Sequence, residues 1–184
     1  MTPGGARLII LDRDGVINED SDAFIKSVAE CVPVAGSINA IARLSQAGYT
    51  VAVATNQSGV ARGLLSETTL SQIHDYLSGL VERAGGRIAG FFYCPHGPDS
   101  NCSCRKPKPG LLYQIRDKYG IEISGVPVVG DSLRDLQAAL TAGCTPVLVR
   151  SGKGERTLAS GLPSELADCA RFTDLAAFVD NLLN

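Results

Sequence analysis

Five short stretches of this chain are apolar through consecutive residues, without the alternation of a strand that shows one face to water. They are 7–11 (RLIIL), 50–54 (TVAVA), 88–93 (IAGFFY), 126–129 (VPVV) and 146–149 (PVLV). A strand-length run that is apolar at every position must be covered on both faces. Between the runs lie segments of helical period. Ile38, Ile41 and Ala42 recur at that spacing before Gly48, and Leu70, Ile73, Leu77, Leu80 and Val81 follow a candidate N-cap, Ser66. Pro109 is placed to open a further helix that Gly120 closes, and Ser132 to cap one ending near Gly143. A last helix is expected over 174–183, and 151–163 reads as loop. The alternation predicts an α/β protein, a Rossmann-like three-layer sandwich with a mostly parallel central sheet.

The length of 184 residues suits one domain, expected to span 1–184. Its 17 Lys and Arg against 19 Asp and Glu argue against general nucleic-acid binding. No apolar run is long enough to span a bilayer, and the polar residues 1–5 do not read as a signal peptide. A cytoplasmic monomer acting on a small molecule is the expectation.

In parallel sheets of this kind, ligands bind beyond the carboxyl ends of the strands. Four such ends carry chemistry: Asp12-Arg13-Asp14-Gly15, Thr55-Asn56-Gln57-Ser58-Gly59, the Arg105-Lys106 segment, and Gly130-Asp131. If residues 12–14 are extended, Asp12 and Asp14 face one ligand and Arg13 points away. A turn started by Gly15 accounts for the same residues without chemistry. With Asp131, the two carboxylates form a hard oxygen site of the kind Mg²⁺ takes. Asp135, three residues after Ser132, fits a capping box and equally a supporting role near that cation. His74 reads as a surface or boundary residue.

Cys94-x-His96 and Cys102-x-Cys104 offer three thiolates and an imidazole. That donor set suits a closed, tetrahedral, structural Zn²⁺ site, although a metal-free loop or a redox pair would use the same residues. A metal there would order a loop too poor in apolar residues to order itself, and would fix Arg105 and Lys106. Cys31, Cys144 and Cys169 read as small buried hydrophobes.

In their order and spacing, DRDGV at 12–16, TNQSG at 55–59, Lys106 and GD at 130–131 resemble the four motifs of the haloacid-dehalogenase superfamily of phosphotransferases. The resemblance implies an aspartyl-phosphate mechanism. Asp12 would be the nucleophile and Asp14 the acid and then base, with Thr55 and Lys106 stabilising the phosphoryl group. Mg²⁺ would be held by Asp12, Asp131 and the Asp14 main-chain carbonyl. To act first as an acid, Asp14 is expected to have a raised pKa.

The strings CPHGP, CSCRKPKPG and VPVAGSI place the resemblance in the zinc-loop branch of that superfamily. The stretch from Asp14 to Asn56 leaves no room for a separate cap domain, so a capless fold is expected. Ser58 with Val60-Ala61-Arg62-Gly63 resembles members that remove the 7-phosphate of a heptose 1,7-bisphosphate, a lipopolysaccharide-core precursor, rather than those acting on histidinol phosphate. By the same resemblance Asp20, Ser21, Asp22, Ala23, Thr55, Asn56, Gln57, Ser58, Arg105 and Lys106 would contact a sugar bisphosphate. Arg105 would take the second phosphate. Ser132 departs from members with Lys after the fourth-motif Asp. A zinc-stabilised binding module on an inactive scaffold, or a DNA 3′-phosphatase, would need Asp12 or Asp14 lost, or a basic stripe gained. The sequence shows neither.

Overall fold

The structure is a computed structural model that describes residues 7–184; residues 1–6, including the polar start of the chain, lie outside the described residues. The elements are β1 (Arg7–Leu11), α1 (Ser37–Gln46), β2 (Tyr49–Asn56), α2 (Glu67–Arg83), β3 (Gly90–Cys94), α3 (Gly110–Tyr119), β4 (Pro127–Gly130), α4 (Leu133–Thr141), β5 (Thr145–Val149), α5 (Gly154–Ala159), β6 (Ala170–Phe172) and α6 (Leu175–Leu183). They form one six-stranded sheet in the order β3-β2-β1-β4-β5-β6, with every pairing parallel.

The apolar runs follow from coverage on both faces. Ile9 and Leu11 of β1 pack with Val51, Val53 and Val129 under α1, α2 and α6. Their neighbours Leu8 and Ile10 pack on the opposite side with Ala52, Ala54 and Val128 against α3 and α4. Ile9, Ile10 and Leu11 are each 0% exposed, so truncating either isoleucine to alanine should cost about 2–5 kcal/mol.

Several local expectations hold. Ser66 Oγ accepts from Thr69 N at the start of α2, Asp174 Oδ1 accepts from Ala177 N at the start of α6, and Gly120 ends α3 at φ +63. Others shift. The third strand begins at Gly90, in register with Ala52, and Ile88 is buried just before it. Pro109 takes the N-cap position of α3, one residue earlier than expected.

The stretch 151–163 contains α5, whose six residues bury only Gly154 and so carry no apolar period to read. β6 was also hidden, being three residues long with Arg171 at its centre. Both matter, because the chain after β5 wraps back over the loop after β1: Ser151 Oγ donates to Gly15 O at 2.7 Å.

The strand order reverses direction between β1 and β4, the two central strands. Their carboxyl ends open the crevice in which such sheets bind ligands. Among the described residues no inserted segment builds a separate cap over it.

Candidate active site

β1 delivers Asp12, β2 delivers Thr55 to Ser58, and β4 delivers Asp131 to one cleft of about 300 Å³. Lys106 reaches it from the segment after β3. Its ammonium is 4% exposed and has three acceptors: Ala54 O at 2.7 Å, Asp12 Oδ1 at 3.0 Å and Asp135 Oδ1 at 2.5 Å. The two carboxylates raise its pKa despite burial, so it stays charged. Asn56 locks the segment in place, donating from Nδ2 to Lys106 O and accepting from Lys106 N, both at 3.0 Å.

Carboxylate oxygens of Asp12, Asp131 and Asp135 lie within 4.8 Å of one another. Burial, then Asp135, pushes Asp12 up to about 7; burial, then Asp135 and Asp12, pushes Asp131 up to about 8. Three acids this close and this dry repel one another; Lys106 offsets part of that repulsion, and the all-oxygen set fits a hard divalent ion.

The hydrogen bonds divide the oxygens. Asp135 is committed to the protein, with Oδ2 accepting from Ser132 N and Oγ and Oδ1 paired with Lys106. Asp12 Oδ1 is held by Arg13 N and Lys106, and Asp131 Oδ2 by Lys153 N. Asp12 Oδ2 and Asp131 Oδ1 have no protein donor among the described residues and are open to a ligand. Asp135 therefore makes the expected cap, and in addition it supports Lys106. Only its long-range contact to Lys106 was absent from the sequence pattern.

Two expectations about residues 13 and 14 are corrected. Arg13 does not point away: it is 0% exposed, and its Nε and Nη2 donate to Asp14 Oδ1 at 3.0 and 2.7 Å. The backbone is not extended here. Gly15 N donates to Asn18 O and Ile17 N to Arg13 O, closing a tight turn, and the rule for alternate strand residues does not apply. Asp14 also accepts from Asn18 Nδ2 at 2.9 Å and Gln57 Nε2 at 2.8 Å. Burial raises its pKa, but Arg13 and these donors outweigh burial and leave it lowered, not raised. His74 is likewise not a boundary residue but is 7% exposed.

Of the expected substrate contacts, Asp20, Ser21, Asp22, Asn56, Gln57, Ser58, Arg105 and Lys106 line the cleft, as does Thr55. Ala23 does not; its N–H donates to Ser21 Oγ at 3.1 Å and so shapes the loop. The cleft is also lined by Arg62, Arg134 and Lys153, to which the sequence reading gave no contact: Arg62 and Arg134 each lie three residues beyond a motif, and nothing near Lys153 in the chain marks the site.

Lys153 Nζ pairs with Asp20 Oδ2 at 2.7 Å. Arg62, Arg105 and Arg134 have no carboxylate partner among the described residues. Burial, then Arg134, with a smaller push from Arg62, lowers the Arg105 pKa, as expected of cations gathered without an anion.

The cysteine loop closes on itself. Cys94 Sγ is 3.7 Å from Cys102 Sγ and 3.5 Å from His96 Nδ1, and Cys104 Sγ is 3.4 Å from the same nitrogen. A tetrahedral zinc ion with ordinary bond lengths would set these edges at about 3.8 Å for S–S and about 3.6 Å for S–N. All six cysteines are free thiols, and Cys94, His96, Cys102 and Cys104 each bring a ligand atom within 4.8 Å of the others, as a metal site requires. Arg105 Nη1 donates to His96 O at 3.2 Å, tying that guanidinium to the loop. Cys31 and Cys144 are buried as expected, while Cys169 is only half-buried.

A HAD-hydrolase-like family profile matches residues 103–175. Over 96% of its length the chain is 56% identical to a Pseudomonas putida protein, of which it covers 99%, and 54% identical to one from Bordetella bronchiseptica, of which it covers 98%. Both are named D-glycero-β-D-manno-heptose-1,7-bisphosphate 7-phosphatase. The B. bronchiseptica D,D-heptose 1,7-bisphosphate phosphatase crystallised with magnesium and phosphate superposes with a TM-score of 0.92 at 54% identity, covering 96% of this chain and 98% of that one. The Burkholderia thailandensis D,D-heptose 1,7-bisphosphate phosphatase superposes at 0.74 with 42% identity, over 97% and 99%. With relatives this similar across nearly its whole length, the chain belongs to the HAD-like hydrolases, in the family of the heptose-1,7-bisphosphate 7-phosphatases.

Proposed function

We propose that the chain is a cytoplasmic phosphatase that removes the 7-phosphate of D-glycero-β-D-manno-heptose 1,7-bisphosphate and supplies a precursor of lipopolysaccharide core. The observation that carries the reading is the state of Asp12. Its Oδ1 is pinned by Lys106 and by its neighbour's N–H, while Oδ2 faces the cleft without a protein donor. The carboxylate is thus oriented for attack and close to a buried permanent cation.

The reaction runs in two displacements. An Asp12 carboxylate oxygen bonds to phosphorus as the phosphorus–oxygen bond to C7 breaks, and Asp14 gives its proton to the departing alkoxide. Water then attacks phosphorus as Asp14 accepts a proton from that water, and the bond to Asp12 breaks to release phosphate. Asp14 rests ionised, held so by Arg13. It takes up its proton when the dianionic phosphate enters the cleft beside it.

Lys106 stays charged throughout and stabilises the equatorial oxygens with the Thr55 hydroxyl, itself a 2.9 Å acceptor from Gln57 Nε2. Mg²⁺, when bound through Asp12, Asp131 and the Asp14 main-chain carbonyl, supplies charge neutralisation at the phosphoryl group. Cys94, His96, Cys102 and Cys104 would hold a structural Zn²⁺ that orders the loop, whose His96 carbonyl accepts from Arg105 Nη1. Arg62, Arg105 and Arg134 take the phosphate that is not hydrolysed, since guanidinium forks match phosphate oxygens.

Phosphate release from the heptose bisphosphate, fructose bisphosphate and histidinol phosphate, with and without Mg²⁺, tests the reading. The heptose ester should be preferred and the reaction should need Mg²⁺. A preference for histidinol phosphate would overturn the substrate assignment and leave the mechanism standing.

A further inference from the structure

Arg13 is the largest side chain that the fold buries completely. A guanidinium has five N–H donors and accepts nothing, so burial is tolerable only where acceptors surround it. Nε and Nη2 are satisfied by Asp14 Oδ1. Nη1 meets a different partner, His74 Nε2, at 3.4 Å across 61 residues of sequence. Because arginine cannot accept, the contact fixes the imidazole. A hydrogen bond from Nη1 requires the lone pair on Nε2, which puts the proton on Nδ1 and leaves the ring neutral.

The seat of His74 favours that state. The ring lies on the buried face of α2, between Ile73 and Leu77. It stacks on Phe91 at 4.2 Å between centroids and 7° between planes, with Tyr93 tilted 6.0 Å away. The charged groups that act on it are Arg13 and Asp14. Burial and then Arg13 press its pKa down to about 3, against a smaller opposing pull from Asp14. His74 touches neither Asp14 nor the metal carboxylates, and the chemistry described above makes no use of it.

We propose that neutral His74 is a positioning residue for Asp14: by accepting from Arg13 Nη1 it fixes the guanidinium fork that aims the Asp14 carboxylate at the leaving group. No proton passes along this chain. Its contribution is orientation, which matters because acid–base transfer depends on hydrogen-bond reach to a defined atom. Without the acceptor, Nη1 is left buried and unpaired, the guanidinium turns to find another partner, and its two bonds to Asp14 move with it. The inference rests on the acid/base role proposed for Asp14.

The first test uses the unmodified enzyme. Nitrogen-15 NMR of the imidazoles at neutral pH, assigned with a His96 variant, should show His74 neutral and protonated on Nδ1. An Nε2-protonated ring or an imidazolium would overturn the proposal.

The second test compares His74→Phe, which keeps the ring and its stacking but loses the acceptor, with His74→Gln, whose Oε1 stands near the Nε2 position. His74→Phe should lower kcat about 10–100-fold, the usual loss when a group orienting an active residue is removed, with KM changed less than about twofold. His74→Gln should stay within about threefold of wild type. In an Asp14→Asn background, His74→Phe should change the residual kcat no further, because the two act as one unit. Wild-type kcat in a folded His74→Phe protein, equal losses in the two variants, or additivity with Asp14→Asn would each overturn the proposal. Asp14→Asn alone separates the two readings: full activity there would remove the acid/base role, while the tautomer measurement would still report the His74–Arg13 contact.

Discussion

Lys106 and Asp135 form an ion pair buried on both sides, with Nζ 2.5 Å from Oδ1 and side-chain exposures of 4% and 2%. The pair explains how a lysine can be a fixed cation at the base of the cleft, since Asp135 is anchored by its cap to α4 and cannot follow a moving ammonium. Asp135→Asn should keep the cap in part and lower kcat about 10–100-fold by letting Lys106 lean onto Asp12. Breaking a buried pair usually costs about 3–5 kcal/mol, but here Lys106 keeps Asp12, and two carboxylates lose a repelling neighbour. Urea denaturation should therefore show a smaller loss than that. An unchanged kcat in the folded variant would separate Asp135 from the reaction.

Cys102→Ser removes one of four metal donors and should release the ion, since the loop has little apolar surface to order it otherwise. Arg105 loses its fixed acceptor, His96 O, when the loop loosens. KM should rise about tenfold, roughly the value of one hydrogen bond to a charged group, alongside a fall in zinc content. Full activity in a zinc-free variant would show that the loop needs no metal.

Gly152 has φ +58, and a Cβ there would overlap the Asp131 carboxylate and the backbone of Gly15. Gly152→Ala should displace Asp131 and raise the Mg²⁺ concentration needed for half-maximal rate by about 10–100-fold. A magnesium titration of initial rates checks this, with Gly161→Ala as a control, where φ is +82 but nothing lies within 4 Å. The control should lose stability alone.

Arg134→Ala and Arg62→Ala should weaken binding of a bisphosphate while sparing a monophosphate that has only the scissile group. A lost charge-assisted hydrogen bond is worth about 1.5–3 kcal/mol, or about 10–150-fold in kcat/KM for the bisphosphate. An equal loss on both substrates would remove these guanidiniums from recognition of the second phosphate.

His74 also sets a pH dependence of stability. Its pKa is about 3 when folded and 6.5 in its ordinary state. Between those values the unfolded chain binds a proton that the folded chain refuses, so stability is full above pH 6.5 and is lost as pH falls toward 3. This one group contributes a slope of up to about 1.4 kcal/mol per pH unit in that window. Urea midpoints from pH 7 to pH 4.5 should fall less steeply in His74→Phe than in wild type. Parallel curves would show that the imidazole is not held neutral.

Much of the site was readable along the chain because its chemistry is attached to strand ends. A run such as 7–11 must be buried on both faces, and the residue where it stops must emerge at the sheet edge, so Asp12, Thr55 and Asp131 follow from local pattern plus one topological rule. The metal loop was readable for a similar reason, its four donors lying within eleven consecutive residues. The sequence left extended strand and Gly15 turn both open at Arg13, because two carboxylates at i and i+2 look alike in either; the hydrogen bonds of Gly15 and Ile17 decide for the turn.

What the sequence alone determined is the layered α/β architecture, the placing of Asp12 and Asp131 at strand ends, and the clustering of three cysteines and a histidine in one loop, all features carried by neighbouring residues. Tertiary structure alone decided the partners: Lys106 between Asp12 and Asp135, Arg13 between Asp14 and His74, and Arg62, Arg134 and Lys153 on the cleft wall. Those contacts join segments far apart in the chain. They also set the protonation of the acids and of His74, because a buried charge answers to whichever groups the fold brings within a few ångströms, whether distant in the chain like Asp135 beside Asp12 or adjacent like Arg13 beside Asp14.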